Sequence, residues 1–136
     1  MDINKQPGIK VEAIILAESF FKRQPVIPDK INNIINFNVK NTVTPDKKRL
    51  FTEVETLLNT NDDPIHGKFV FIGVFSTEED ANMDLLEFAQ SSASAIIFPY
   101  IREEIHSRYL KSGLPNLGVI PPVNIMALTK SANKEE

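Results

Sequence analysis

Two histidines, several runs of acidic residues and no cysteine are what this 136-residue chain offers for chemistry. His66 stands near Asp62 and Asp63 in what reads as a turn, and His106 follows Glu103 on a segment of helical periodicity. A carboxylate beside an imidazole can tune a base. Turn and helix-surface positions are nevertheless ordinary places for a solvated or structural histidine. Glu103–Glu104 and Glu78–Glu79–Asp80 place carboxylates side by side, as acid–base catalysis would need. The second run is explained by a helix start: Ser76 and Glu79 have capping-box spacing, and acids favour the positive helix end. The first is explained by a solvated helix face. There is no nucleophile elbow, no glycine-rich phosphate loop and no metal-ligand spacing. The chain is therefore expected to be non-enzymatic, without metal or cofactor.

The elements that would position these groups come in two blocks. β-branched and aromatic residues cluster in four runs separated by proline, asparagine and aspartate, which predicts strands at about Ile9–Lys22, Asn33–Asn41, Arg49–Asn59 and Lys68–Ser76. In the second run Ile35, Phe37 and Val39 alternate with Asn36, Asn38 and Lys40, so one face is wet and one buried. Pro25 and Pro28 make the first connection a loop. The later turns are short, which demands antiparallel neighbours. A helix is expected directly after Ser76, with Met83, Leu86 and Ala93 on its apolar stripe. A second is expected from Pro99 to Lys111, opening on proline, repeating Ile101, Ile105 and Tyr109 every four residues, and stopping at Gly113. Strands followed by helices predict an α+β fold: a four-stranded antiparallel sheet with the C-terminal helices packed on one face, in a single domain over residues 1–136.

A net charge of -3 and a pI near 5.4 give no attraction to nucleic acid or to anionic lipid. The N-terminal residues lack the apolar core of a signal peptide, and runs such as Phe69–Phe75 are too short to span a bilayer. The expected location is the cytoplasm.

Nine phenylalanines and no tryptophan are the unusual feature. Phe20–Phe21 and Phe69–Val70–Phe71 direct neighbouring apolar side chains to opposite sheet faces. Ile14, Leu16 and Phe20 are expected to share the helix-free face with Glu12 and Glu18. A sheet apolar on both faces calls for a partner, either another subunit or a bound polypeptide. The competing reading, a small-molecule pocket between sheet and helices, needs converging polar groups that the sequence does not supply.

Phe98-Pro99-Tyr100-Ile101-Arg102-Glu103, then Gly113, then Pro122-Val123-Asn124, resembles the helix-opening, helix-ending and C-terminal motifs of the SecB preprotein-export chaperone family, although Ile125 stands where that family has phenylalanine. The order of strands and loop agrees over nearly the whole chain. The resemblance implies an ATP-independent holdase for unfolded or precursor polypeptides, assembled as a homotetramer built from two dimers. It makes Phe98, Pro99, Tyr100, Arg102, Glu103, Gly113, Pro122, Val123 and Asn124 structural. Client grooves would run beside the crossover loop, with Phe21, Val26, Ile27 and Phe37 as candidate lining. In the family, acids on the exposed sheet face dock the SecA motor. Glu18 matches, but Lys22 and Gly73 occupy positions where further acids are expected, so SecA docking is expected to be weak or absent. A SecB-like chaperone devoted to another client, such as an antitoxin, is the alternative.

Overall fold

The computed structural model describes residues 8–31, 33–78 and 85–114. Four strands, β1 (Ile9–Arg23), β2 (Ile35–Val43), β3 (Arg49–Leu58) and β4 (Ile65–Thr77), form one antiparallel sheet in the order β1-β4-β3-β2. β2, β3 and β4 form a meander. β1 lies against β4, so the crossover segment must carry the chain from one sheet edge to the other.

The β2–β3 turn is held by Thr44, whose hydroxyl donates to Asp46 at 2.6 Å, while Lys47 adopts a positive φ of 62°. Asn59 ends β3 with a φ of 56°, a conformation asparagine tolerates better than most residues. Its side chain accepts from the Ile34 amide (2.7 Å) and donates to the Ile65 carbonyl (3.0 Å), tying β2, β3 and β4 together at one end of the sheet.

One continuous helical run covers one face: α1 (Leu85–Phe88), a π-helical turn over Ala89–Ala93, and α2 (Ser94–Lys111). Pro99 is thus inside a helix, not in its first turn as the sequence predicts. α2 begins five residues earlier because Ile97 and Phe98 are both buried against the sheet, which favours helix through the proline despite the lost amide donor. The predicted start also differs. β4 continues through Thr77, and the Ser76 hydroxyl donates to Glu12 on β1; Glu79 and Met83 lie outside the described residues. Gly113 does end the helix. With φ of 74° it allows Leu114 N–H to reach Tyr109 O (2.8 Å) and Gly113 N–H to reach Leu110 O (3.2 Å), a Schellman closure.

Alternation sorts the sheet into two faces. Leu50, Val54 and Leu58 of β3 and Ile65, Phe69, Phe71 and Phe75 of β4 face the helix and are buried. Ile97, Ile101, Ile105 and Tyr109, four residues apart, meet them and form the core seam. In β1 the regular alternation fails. Shifts between Val11 and Ala13 and between Leu16 and Glu18 each insert one residue, and each insertion exchanges the faces. Ile14 therefore stands opposite Gly73 and packs on the core, and Leu16 stands opposite Phe71; neither shares the helix-free face with Phe20 and Glu18 as the sequence pattern suggests.

Burial pushes the Tyr109 hydroxyl up to about 12 from its ordinary 10. An acid whose folded value is raised is destabilised by ionisation. Stability from this group is complete below pH 10 and is lost as pH rises from about 10 towards 12, by up to about 3 kcal/mol. Denaturant titrations across that range should show the decline, and Tyr109→Phe should remove most of it.

Candidate functional site

The helix-free, open face carries the charged groups. Lys68 lies between Glu18 (3.5 Å) and Glu55 (3.6 Å), and Lys22 donates to Asn61 at 2.9 Å. His66 is a β4 residue, not a turn residue: its Nδ1 lies 3.1 Å from the Leu58 carbonyl and its ring meets Phe20 edge-on at 5.8 Å. Exposed Ile15 and Phe51 sit beside their β4 partners Ile72 and Val74. Gly73 is not on this face. A Cβ there would lie 2.9 Å from Ile97 Cδ1, so position 73 points at α2, and the open face presents Ile72 and Val74 instead. The acids of this face include Glu18 on β1 and Glu53 and Glu55 on β3.

Of the paired glutamates, Glu103 is exposed, but Glu104 is not solvated: it accepts from the Ser19 hydroxyl (2.7 Å) and from Arg108 Nε (3.2 Å). This is a clamp holding α2 to β1. Arg23 adds to it by donating to Ser112 O at 2.7 Å and Pro25 O at 3.0 Å. Ser19 carries no sequence signal of this role, because the partners lie 85 and more residues away. His106 is exposed on α2, apart from these contacts.

The predicted groove residues divide between the two edges of the sheet. Phe21, on β1, packs its ring against Tyr109 at 5.5 Å. Phe37, on β2, meets Phe98 edge-on at 5.9 Å, with the Arg102 guanidinium 6.0 Å from the Phe98 ring centre. Three strand spacings, roughly 14 Å, separate β1 from β2, so the two phenylalanines do not share one floor. The crossover starts at Gln24, whose amide donates to Pro64 O (2.8 Å), and reaches β2 at Ile34. Val26 is 79% exposed, whereas Ile27 packs against the core together with Ile31. The pair is therefore split: prolines hold Val26 out, but they do not prevent Ile27 from turning in. Tyr100 is half exposed, Phe98 buried; Pro122, Val123 and Asn124 lie outside the described residues.

The β2 edge itself has a definable hydrogen-bonding pattern. Thr44 N–H donates to Arg49 O (2.9 Å), and Asn59 N–H to Ile34 O (2.8 Å), at the two ends of an unbroken β2–β3 register. Bonded pairs alternate in an antiparallel ladder. Asn36, Asn38, Lys40 and Thr42 thus turn their backbone groups to β3, and Ile35, Phe37, Val39, Asn41 and Val43 turn theirs outward. Among the described residues nothing pairs with that outward row. The residues with free backbone groups are the ones whose side chains face α2, so an added strand would place alternate side chains beside Phe37 and Phe98.

Among solved structures, this architecture matches the SecB-like chaperone of Mycobacterium tuberculosis, determined in complex with a ChAD peptide from the HigA1 antitoxin, with a TM-score of 0.68. The chain has a SecB-like fold. The match covers 85% of this chain and 90% of the other at 18% sequence identity. No protein-family model matches, and no curated protein matches. Within the SecB-like fold the helix-opening motif is accounted for as packing: Phe98 is buried between Phe37 and Arg102. No helix among the described residues is long and apolar enough to cross a membrane.

Proposed function

We propose that this chain is a non-enzymatic, ATP-independent chaperone that holds an extended, unfolded polypeptide segment beside β2, between the crossover segment and α2. The observation that carries this reading is the open β2 edge: outward backbone groups over five alternate residues, with Phe37 and Phe98 on the helix side. Backbone pairing supplies affinity independent of sequence, and apolar contacts contribute about 25 cal/mol per Å² buried. The structural neighbour's own partner, an antitoxin peptide, supports a dedicated client of that kind over general export. Weak SecA docking is supported by the pairing of Glu18 and Glu55 with Lys68 and by Lys22 on the same face, where Glu53 is the remaining β3 acid. The working form in this reading is a cytoplasmic homotetramer, supported by the exposed Leu86, Tyr100 and Leu110 of the helical run. Light scattering decides the assembly, and a monomer at micromolar concentration would remove it.

The direct test is suppression of aggregation of a chemically denatured model protein at near-stoichiometric chaperone, without nucleotide. No suppression, together with no binding of unfolded chain, overturns the reading. Val26→Ser should raise the dissociation constant for an unfolded client roughly five- to thirty-fold with an unchanged melting temperature, since the side chain is exposed without client. Ile27→Ser should also lower the melting temperature, because Ile27 is partly core.

A further inference from the structure

The β2–β3 turn carries Lys47 and Lys48 against Asp46, a net charge of +1 where β2 ends, with Arg49 next to it at the start of β3, near Glu12. The turn is ordered: Lys47 N–H donates to Thr44 O at 2.8 Å, and the Asp46 carboxylate is taken up by the Thr44 hydroxyl and by Lys48 N–H at 3.0 Å. Those hydrogen bonds hold the Asp46 carboxyl below the usual range, so it stays charged and tied to its own turn. No ion pair joins Lys47, Lys48 or Arg49 to a described residue. Lys40 is likewise exposed, on the open-face side of the same edge. A lysine on a bare edge discourages pairing with a second copy of the chain, which leaves a foreign strand as the occupant.

We propose that this basic turn reads the charge beside the client's apolar core, selecting segments with acidic residues on the N-terminal side. The inference rests on the proposed strand addition at β2. Every neighbouring pair in the sheet is antiparallel, and a strand added antiparallel to β2 begins where β2 ends. Its N-terminal flank therefore lies at Lys47 and Lys48. The selectivity is local and opposite in sign to what the chain's overall charge of -3 suggests.

The test uses the full chain and three fluorescent peptides sharing one alternating valine–threonine core: two glutamates before it, two glutamates after it, or two lysines before it. Binding is followed by anisotropy at low and at high salt. The peptide with leading glutamates should bind roughly tenfold more tightly than that with leading lysines, with the difference shrinking in high salt. Exchanging both turn lysines (Lys47→Glu with Lys48→Glu) should reverse the order while suppression of client aggregation persists. Equal affinities, a preference for trailing glutamates, or an order unchanged by the double exchange would overturn the inference. If no core peptide binds but aggregation is still suppressed, the edge inference fails and the chaperone reading stands; if both are lost, the chaperone reading itself has failed.

Discussion

Phe75→Ala should cost about 3–5 kcal/mol, the range for truncating a large aromatic side chain in a packed core. Phe75 is fully buried, stands opposite Leu50 in the β3–β4 register, and meets the Phe88 ring edge-on at 5.1 Å. It is one of the contacts by which α1 sits on the sheet, beside buried Leu85. Loss of the ring leaves a cavity beneath α1 and removes an aromatic pair worth about 1 kcal/mol beyond its area. Urea unfolding should show the midpoint falling with the slope unchanged. A loss below about 1 kcal/mol would mean that α1 is not docked on the sheet in solution.

Gly73→Leu should cost about 2–3 kcal/mol by the opposite mechanism, overpacking. A Cβ at this position would lie 2.8 Å from Phe75 Cε2 and 2.9 Å from Ile97 Cδ1, closer than such atoms approach in folded proteins. Both neighbours are buried, so relief requires the helix to lift from the sheet. The same denaturant measurement checks it, and a combined Gly73→Leu, Ile97→Ala variant should recover part of the loss. If Gly73→Leu were neutral and instead altered binding of a partner to the open face, the assignment of position 73 to the helix side would be wrong.

The candidate site is unevenly legible in the sequence. Phe37 was recognisable as a helix-side aromatic from its alternation with Asn36 and Asn38, and the structure gives it Phe98 as a neighbour. The clamp of Ser19, Glu104 and Arg108 was not, since its members are joined only by the way β1 and α2 cross. Val26 was readable as exposed because prolines on either side of the pair keep the backbone extended; Ile27, in the same frame, was not readable as partly buried, because what it packs against lies elsewhere in the chain.

Local chemistry in the sequence was enough to determine four strands, their turns, the apolar seam Ile101, Ile105 and Tyr109, and the glycine that ends the helix. Those features depend on residue type and short-range spacing. Which face each β1 residue occupies, which strand β1 joins, and which edge stays open were decided only by tertiary structure. The two register shifts in β1 reverse its alternation without any glycine or proline to announce them. Pairing β1 with β4 leaves β2 at the opposite edge, which separates Phe21 from Phe37 and bares the backbone of Ile35, Phe37, Val39, Asn41 and Val43. Strand pairing is a contest between distant segments for the same hydrogen bonds and the same buried face, and its outcome is set by the packed whole, not by any one run of residues.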